Sequence, residues 1–467
     1  MLEFMPLLDQ SLHKPLFIQI YEYIKQEIIA ATLKTGEKLP SKRKLAENLG
    51  VSVNTVQAAY EQLIAEGYVD SRIRKGLYVA KMEDILHPEF IPPVTEGKPE
   101  ELIKKIKIDF NSGKVDTIHF PYPVWRKLTI QSLQEDKGEL LQTGDPQGEY
   151  NLREAIASYL YASRAVRCNP GQIIIGAGTQ VLTGLLSILL GRDIIYAFEN
   201  PGFHRTKSVI RNQGIELASI DLDADGISIK ELRVSKARAV FITPSHQFPT
   251  GIVMPLARRA ELLKWADEAG GYIIEDDYDG EFRYKGKPIP SLQGMDSNGR
   301  VIYLGTFSKS LIPSIRLSYI VLPIELAMKY RKELPLYKQS VSRLHQDTIC
   351  KFIEGGHWQT HLNKMRTLYR KKQNCLLSSI NDLLGENVTV MGEKSGLHIV
   401  LQLRNTQRTE SALIQLAADA GIKVYPVSIY YDNASPAGYP EILLGYGGLT
   451  EAEITEGIRL LKKAWDL

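Results

Sequence analysis

Short apolar runs alternate with helix-length amphipathic stretches throughout the chain after residue 106. Runs that suit β-strands fall at residues 173–175, 193–196, 239–242, 272–274, 301–304 and 319–322. Strands that alternate with helices form a mostly parallel sheet with helices on both faces, and ligands bind at the carboxyl ends of its strands. The sequence therefore predicts an α/β domain over residues 106–467, with its site in the segments that follow these runs.

Three residue types with complementary chemistry follow two of these runs. Lys309 comes after the run at 301–304, Asp276 lies in the Glu-Asp-Asp-Tyr segment at 275–278, and Arg316 lies downstream of the lysine. A lysine can form an imine, a carboxylate can hold a protonated ring nitrogen, and an arginine can clamp a phosphate. Together these requirements describe pyridoxal 5′-phosphate. Adjacent acids could also cap a helix or bind a surface arginine, although a protonated pyridine explains them better.

Two further segments are compatible with this cofactor and also with a purely structural role. Gly176-Ala-Gly-Thr-Gln180 could cradle a phosphate at a helix N-terminus, or could be a tight turn between strand and helix. Phe203 could stack on a flat ring, or could be an ordinary core phenylalanine. Both alternatives stay open at the level of single residues.

The N-terminal region predicts three helices and a hairpin. Pro15 precedes the first helix, Ser41 caps the second, and Ser52 caps the third, which leaves polar residues outward in its first turns. Two short helices joined by a tight glycine turn form a helix-turn-helix. The alternating segment 68–79 turns at Lys75-Gly76, which predicts a β-hairpin with cations at its tip. Such three-helix units can bind DNA or act as dimerisation or docking modules.

The remaining composition excludes several classes of protein. The three cysteines, Cys168, Cys350 and Cys375, match no metal-ligand spacing, so no metal site is predicted and the thiols are expected to be reduced. The longest apolar run, 181–190, is too short to span a membrane, and the N-terminus does not resemble a secretory signal. We therefore expect a cytoplasmic protein without a membrane partner. Segment 81–105 is rich in proline and charge, which predicts a semi-extended linker between a domain at 12–80 and the α/β domain.

The order of motifs in residues 12–80 closely resembles the GntR-type winged helix. The resemblance rests on Leu-Pro-Ser-Lys-Arg-Lys-Leu-Ala, Val-Ser-Val-Asn-Thr-Val, Leu-Ile-Ala-Glu-Gly-Tyr and the Lys-Gly turn. It implies binding to double-stranded DNA. The residues that it places at the DNA are Arg43, Asn54, Thr55, Gln57, Lys75 and Gly76.

Most of residues 106–467 resemble the fold type I aminotransferases, which are pyridoxal-phosphate enzymes. The resemblance implies that Lys309 is the Schiff-base lysine, Asp276 the partner of the ring nitrogen and Tyr278 a donor to the ring hydroxyl. Phe203 resembles the stacking aromatic. The residues that resemble the phosphate cup are Gly178, Thr179, Thr306, Ser308 and Arg316.

A winged helix joined by a linker to an aminotransferase-like domain is similar to the MocR family of regulators. The resemblance implies pyridoxal phosphate as part of a sensor, a small-molecule effector that reacts with or competes at the Lys309 imine, and a head-to-tail homodimer. Two departures from the enzymes bear on catalysis. Gln-Phe-Pro-Thr-Gly at 247–251 stands where these enzymes have Asn-Pro-x-Gly, so the usual asparagine contact to the ring hydroxyl is lost or is replaced by His246 or Gln247. No arginine lies between Arg408 and Arg459 to hold a substrate carboxylate.

We therefore predict a regulator that senses an amine or amino-acid-like effector, or pyridoxal phosphate itself, through the lysine, with Arg205 and Lys423 as candidate cations for the effector. Transamination is expected to be slow or absent. The alternative is an active aminotransferase with an accessory DNA-binding domain.

Overall fold

The computed structural model describes residues 8–9, 14–72, 74–81, 106–135, 138–285, 289–432 and 438–467. The chain divides into two compact units, Met1–Glu101 and Leu102–Leu467. The predicted linker at 81–105 lies outside the described residues, apart from Lys81. No helix within the described ranges is long and apolar enough to cross a membrane.

The N-terminal unit contains three helices and a two-stranded hairpin. They are α1 Leu16–Ile29, α2 Lys42–Leu49, α3 Val53–Ala65, β1 Val69–Arg72 and β2 Gly76–Val79. The side chain of Ser41 accepts a hydrogen bond from the Lys44 amide, and that of Ser52 accepts one from the Thr55 amide. Gly50 ends α2 with a φ of 62°, a left-handed conformation that glycine adopts without strain. The predicted winged helix-turn-helix is confirmed.

One apolar core holds this unit together. Its fully buried side chains come from all three helices and both strands, and include Ile20, Ile24, Leu45, Val56, Ala59, Tyr60, Leu63, Val69 and Val79. The Tyr60 hydroxyl donates to the Pro40 carbonyl at 3.0 Å, which satisfies the one polar atom of that ring. The outward face of α3 is thereby fixed relative to α2.

The larger unit contains twelve helices and fourteen strands among the described residues. The helices are α4 Tyr122–Glu135, α5 Tyr150–Arg164, α6 Thr179–Leu190, α7 His204–Arg211, α8 Ile229–Val234, α9 Leu256–Ala269, α10 Leu292–Met295, α11 Ile324–Glu333, α12 Arg343–Glu354, α13 His357–Leu384, α14 Glu410–Asp419 and α15 Glu451–Trp465. The strands are β3 Ile108–Asp109, β4 Ile173–Gly176, β5 Tyr196–Asn200, β6 Leu217–Asp223, β7 Gly226–Ile227, β8 Ala239–Ile242, β9 Tyr272–Asp277, β10 Val301–Thr306, β11 Ser318–Val321, β12 Val388–Met391, β13 His398–Leu403, β14 Ile422–Lys423, β15 Tyr425–Pro426 and β16 Glu441–Gly445.

The main sheet has eight strands in the order β4-β11-β10-β9-β8-β5-β6-β7. Strands β10, β9, β8, β5 and β6 pair in parallel, whereas β11 is antiparallel to both of its neighbours. Separate apolar clusters cover the sheet, as the continuous hydrophobic character of its strands requires. The mostly parallel α/β fold is confirmed. The strand expected at 193–196 begins only at Tyr196, because Arg192 and Asp193 are exposed and burial starts at the tyrosine.

A second sheet has the order β12-β13-β16-β15 and packs with α13, α14 and α15. Two glycines let its backbone approach the rest of the unit closely. A Cβ on Gly445 would lie 2.2 Å from Cα of Ser112, and a Cβ on Gly396 would lie 2.0 Å from the ring of His246. The second sheet therefore meets the loops at the carboxyl ends of the main sheet directly.

Candidate functional site

A cavity of about 310 Å³ opens where the main sheet's strands end and the second sheet begins. All nine residues predicted to hold the cofactor line it: Gly178, Thr179, Phe203, Asp276, Tyr278, Thr306, Ser308, Lys309 and Arg316. Their strands are neighbours in the sheet, so residues more than a hundred positions apart meet in one space.

Two of the three adjacent acids on β9 have partners within the protein. Glu275 accepts hydrogen bonds from the amides of Leu292 and Gln293 and lies 3.7 Å from the guanidinium of Arg259. Asp277 accepts a hydrogen bond from Nε of Arg164 at 2.6 Å. Their negative charges are therefore balanced inside the fold.

Asp276 differs from both neighbours. It is 4% exposed, its Oδ1 is buried, and its carboxylate receives no hydrogen bond from any described residue. Burial raises its pKa to about 8, and the charges of Asp277, Asp279 and Glu199 add to the effect. A buried carboxylate in this state needs a cation or a proton. A protonated ring nitrogen fits this place.

We expect the stability of the cofactor-free protein to reflect Asp276. The pKa of this carboxyl rises on folding from 3.8 to about 8, so folding favours its protonated form, and stability falls as pH rises through that window. Between about pH 5 and about pH 8, the free energy of unfolding of the wild type should fall by at least about 1.4 kcal/mol more than that of Asp276→Asn. This difference corresponds to one pKa unit. Urea unfolding at both pH values measures this difference. Equal losses in the two proteins would contradict the assignment.

Lys309 follows β10 after a short turn, and its amine donates a hydrogen bond to the carbonyl of Ser112. Desolvation lowers the pKa of the amine to about 8, and the nearby charge of Arg205 acts in the same direction. A neutral amine is the nucleophilic form of lysine. The cavity thus makes Lys309 more reactive toward a carbonyl carbon than a surface lysine.

The opposite end of the cavity suits a phosphate. Gly178 precedes α6 with a φ of 104°, and a Cβ there would lie 2.2 Å from Nη2 of Arg316. The guanidinium therefore lies against the N-terminus of the helix, where unpaired amides favour an anion. The hydroxyl of Thr306 donates to that of Ser308 and accepts from that of Ser318 at 2.8 Å. Together these groups form a cup of a cation, hydroxyls and amides.

Tyr278 lies on the aromatic wall of the cavity. Its hydroxyl donates to the His246 carbonyl at 2.9 Å and lies 3.1 Å from Nδ1 of the same residue. Gln247, the other candidate to replace the asparagine, donates its amide to the carbonyls of Pro201 and Phe248. Of the two candidates, His246 is the one in contact with a predicted cofactor residue.

A group of three buried side chains adjoins the cavity and was only partly anticipated. Nδ1 of His246 lies 3.0 Å from a carboxylate oxygen of Asp279, and the ring of His398 lies 4.6 Å from that of His246. His398 also lines the cavity. His398 was not predicted from the sequence, although a histidine directly after the Gly396-Leu397 pair, at the start of a buried strand, was a usable signal.

The two candidate effector cations differ in position. Arg205 lines the cavity and makes neither a hydrogen bond nor an ion pair with any described residue. Lys423 is exposed on β14, with its amine 5.5 Å from the centre of the Tyr425 ring, and is not among the residues that line the cavity. The stretch at 440–449, which lacks an arginine, contributes the fully buried Leu443 to an apolar cluster with Phe248.

The predicted DNA contacts of the helices lie at the start of α2 and α3. Arg43 and Asn54 are exposed, whereas Thr55 and Gln57 are half-buried. The Thr55 hydroxyl lies 2.8 Å from that of Ser52, and the Gln57 amide donates to Glu61. Asn54 is therefore the polar side chain in this turn with the greatest freedom to reach a base edge.

The hairpin carries exposed cations around one aromatic ring. Lys75 and Gly76 lie at its tip and are exposed. The guanidinium of Arg72 lies 4.4 Å from the centre of the Tyr78 ring, and the amine of Lys38 lies 5.9 Å from it. Lys38 and Arg72 were not among the predicted contacts, yet the ring holds them beside the tip.

Comparisons with known proteins agree with this architecture. Residues 17–79 match the family described as bacterial regulatory proteins, gntR family, and residues 105–457 match aminotransferase class I and II. The chain is 47% identical over 463 residues to the uncharacterised HTH-type transcriptional regulator YhdI of Bacillus subtilis, with 98% of each chain covered. It is 32% identical to the probable rhizopine catabolism regulatory protein MocR of Rhizobium meliloti, covering 99% of this chain and 96% of that one.

Among solved structures, the chain is similar in fold to LysN, an α-aminoadipate aminotransferase from Thermus thermophilus. The TM-score is 0.68 at 24% identity, with 78% of this chain and 93% of LysN covered. The shared fold extends over the larger unit, and the likeness to the regulators extends over the whole chain. The chain therefore belongs to the MocR-type transcriptional regulators, in which a GntR-family DNA-binding domain is joined to an aminotransferase class I and II domain.

Proposed function

We propose that this regulator binds pyridoxal 5′-phosphate in the cavity and senses an amine-bearing effector there. The observation that carries the proposal is the meeting of Asp276, Lys309 and Arg316 in one cavity. Each lacks a partner of the kind that the cofactor offers: a ring cation, a carbonyl carbon and a phosphate. LysN, which shares the fold, was solved with a phosphopyridoxyl compound bound.

The cofactor would supply an aldehyde that condenses with amines and a ring that withdraws electrons. Asp276 would hold the ring nitrogen, and Arg316 with Gly178 and Thr179 would hold the phosphate. Phe203 and Tyr278 would orient the ring within the aromatic wall. Lys309 would hold the cofactor covalently until an effector amine takes its place.

The effector in this proposal carries an amine and an anionic group. Arg205 is a cavity-lining cation that makes no hydrogen bond or ion pair with any described residue and is not assigned to the cofactor, so it is available to a carboxylate. Leu443 and its apolar neighbours offer no second clamp on the α-carboxylate of an amino acid, and transamination requires the substrate to be held rigidly. The proposal therefore includes effector binding with slow or absent turnover. An active aminotransferase is the alternative, favoured by the complete set of cofactor residues.

One experiment separates the two. The full-length protein with cofactor is mixed with amino acids and other small amines, while keto-acid production and operator binding are followed together. We expect at least one amine to change operator affinity without multiple turnovers. Rapid turnover with no effect on DNA binding would contradict the regulator proposal. Arg205→Gln should weaken the response to carboxylated amines more than the response to uncharged ones.

DNA binding is expected to depend on Asn54 and Lys75 in different ways. Asn54→Ala should weaken the binding free energy for the specific site by about 1–3 kcal/mol and that for unrelated DNA very little, because contacts to base edges distinguish one sequence from another. Lys75→Ala should weaken binding to both and reduce the salt dependence by about one counterion. Fluorescence anisotropy at several salt concentrations measures both. Unchanged operator affinity in the Asn54→Ala, Thr55→Ala double variant would remove α3 from recognition.

The proposal also includes a homodimer of head-to-tail type and a cytoplasmic location. Support for the dimer comes from the resemblance to MocR regulators, and support for the location comes from DNA as the partner. Sedimentation of the full-length protein with and without cofactor tests the dimer.

A further inference from the structure

His398 is a cavity-lining histidine for which the cofactor assignment has no use. It begins β13, is 2% exposed and lines the same cavity as Lys309. Its Nε2 lies 3.1 Å from the carbonyl of Pro249. A carbonyl can only accept, so Nε2 carries the proton and Nδ1 of the neutral ring carries a lone pair. Nδ1 makes no hydrogen bond to any residue that the structure describes, so His398 holds an unused proton acceptor.

Backbone contacts make His398 a neighbour of the reactive lysine. His398 pairs with Gly445 across β13 and β16, and the backbone of Ser112 lies directly against Gly445. The carbonyl of Ser112 in turn accepts the hydrogen bond from Lys309. Burial, together with the charges of His246 and Lys309, holds the pKa of His398 well below its usual value. The ring is therefore neutral at physiological pH, and its Nδ1 lone pair carries no proton.

The structure also provides for the charge that a proton would bring. One ring nitrogen of His398, one ring nitrogen of His246 and a carboxylate oxygen of Asp279 all lie within 4.8 Å of one another. Asp279 therefore lies close enough to stabilise a positive charge on the histidine pair. Gly396 packs directly against this group, because a Cβ there would lie 2.6 Å from a carboxylate oxygen of Asp279. The three side chains form a compact, buried arrangement that ends in the cavity at His398.

We propose that His398 accepts the proton that an effector ammonium must lose before its nitrogen can attack carbon. This inference rests on the proposed function. In the step, an N–H bond of the ammonium breaks and an N–H bond forms at Nδ1 of His398, leaving a neutral amine and an imidazolium. As the effector nitrogen bonds to the carbon, the bond from that carbon to the nitrogen of Lys309 would break and the effector's two remaining N–H protons would pass to the lysine nitrogen. The released amine would then take the proton from His398 and become an ammonium. Protons and charge balance without any further reagent.

The test compares two nucleophiles on the cofactor-loaded, full-length protein. Ethylamine is a cation at neutral pH and must lose a proton, whereas hydroxylamine is already neutral. His398→Gln keeps an amide N–H for the Pro249 carbonyl and removes the basic nitrogen. General bases contribute roughly 10²–10⁴-fold, so His398→Gln should react about 100-fold more slowly with ethylamine and within about twofold of wild type with hydroxylamine.

The matched control is His361→Gln. His361 is also buried, and its Nε2 also lies 3.0 Å from a backbone carbonyl, that of Ser310, but it does not line the cavity. This variant should leave the ratio of the two rates unchanged. Equal slowing with both nucleophiles in His398→Gln, or no slowing with ethylamine, overturns the proposal.

A second measurement uses the cofactor-free protein. Nitrogen-15 NMR of labelled histidines, assigned by loss of a signal in His398→Gln, should show a neutral ring with the proton on Nε2. A protonated ring, or a proton on Nδ1, at neutral pH overturns the proposal. If the wild-type chain never attaches the cofactor, the proposed function fails as well. If the cofactor attaches normally but the ratio of the two reaction rates or the tautomer of His398 differs from expectation, only the proposed role of His398 is wrong.

Discussion

Lys309→Ala is expected to abolish covalent attachment of pyridoxal phosphate while leaving the fold and operator binding intact. The amine of Lys309 lines the cavity, donates to the Ser112 carbonyl and has its pKa lowered to about 8. Losing one hydrogen bond costs about 0.5–1.5 kcal/mol, and this is partly offset because a desolvated amine is removed. Stability should therefore change by no more than about 1 kcal/mol, while the response to effector amines disappears.

Borohydride reduction followed by mass spectrometry measures the attachment. Wild type should retain one cofactor per chain, and Lys309→Ala should retain none. Lys332→Ala is the control, because Lys332 is exposed on α11 and does not line the cavity. Cofactor that stays fixed to the Lys309→Ala chain would show that another lysine carries it.

Arg164→Met should destabilise the protein strongly, although Arg164 is not among the residues that line the cavity. Its guanidinium donates to Asp277 at 2.6 Å and to the Ser245 hydroxyl at 2.6 Å, and Asp277 is almost fully buried. Removing one partner of a buried ion pair leaves an uncompensated charge and costs about 3–5 kcal/mol. The remaining charge on Asp277 should also raise the pKa of neighbouring Asp276 further and weaken cofactor binding.

A double variant checks the cause. Arg164→Met with Asp277→Asn should recover most of the lost stability, because the Tyr303 hydroxyl can still donate to the asparagine oxygen. Arg459→Met, which breaks an exposed pair with Glu456, should change the stability little, because solvent screens exposed ion pairs. Urea unfolding of all four proteins gives the comparison. If Arg164→Met alone were as stable as the double variant, the charge of Asp277 would not be the cause of the destabilisation.

Most of the fold could be predicted from local sequence patterns. Serine caps, the glycine at the end of α2 and alternation around Lys75 were sufficient for the winged helix. In the larger unit, apolar runs located six of the eight strands of the main sheet, whereas β6 and β7 were not predicted. The run at 193–196 was placed too early, because Ile194 and Ile195 precede β5 and lie only half-buried. Because parallel strands end at one edge, the cofactor residues could be grouped before any distance was known.

Long-range pairing could not be predicted in the same way. Three adjacent acids on β9 required cations, yet nothing local identified Arg164, which lies 113 positions from Asp277. The contact between His246 and His398 likewise depends on how the second sheet packs. Lys423, a candidate effector cation, follows the buried Ile422 on β14. Because side chains alternate along a strand, Lys423 faces outward, a position that the sequence alone did not show.

The hydrogen bond between Lys309 and Ser112 connects the cavity to the first residues of the larger unit. Only residues 106–111 separate Ser112 from the end of the predicted linker at 81–105. The Lys107 amide donates to the Gly421 carbonyl and the Phe110 amide to that of Lys423, so this stretch is anchored along its length. A lysine nitrogen bound to the cofactor would no longer be the same donor to the Ser112 carbonyl, so the hydrogen bond at the end of this anchored stretch would change. The lysine that would hold the cofactor is thus also tethered, through one carbonyl, to the peptide leading toward the DNA-binding unit.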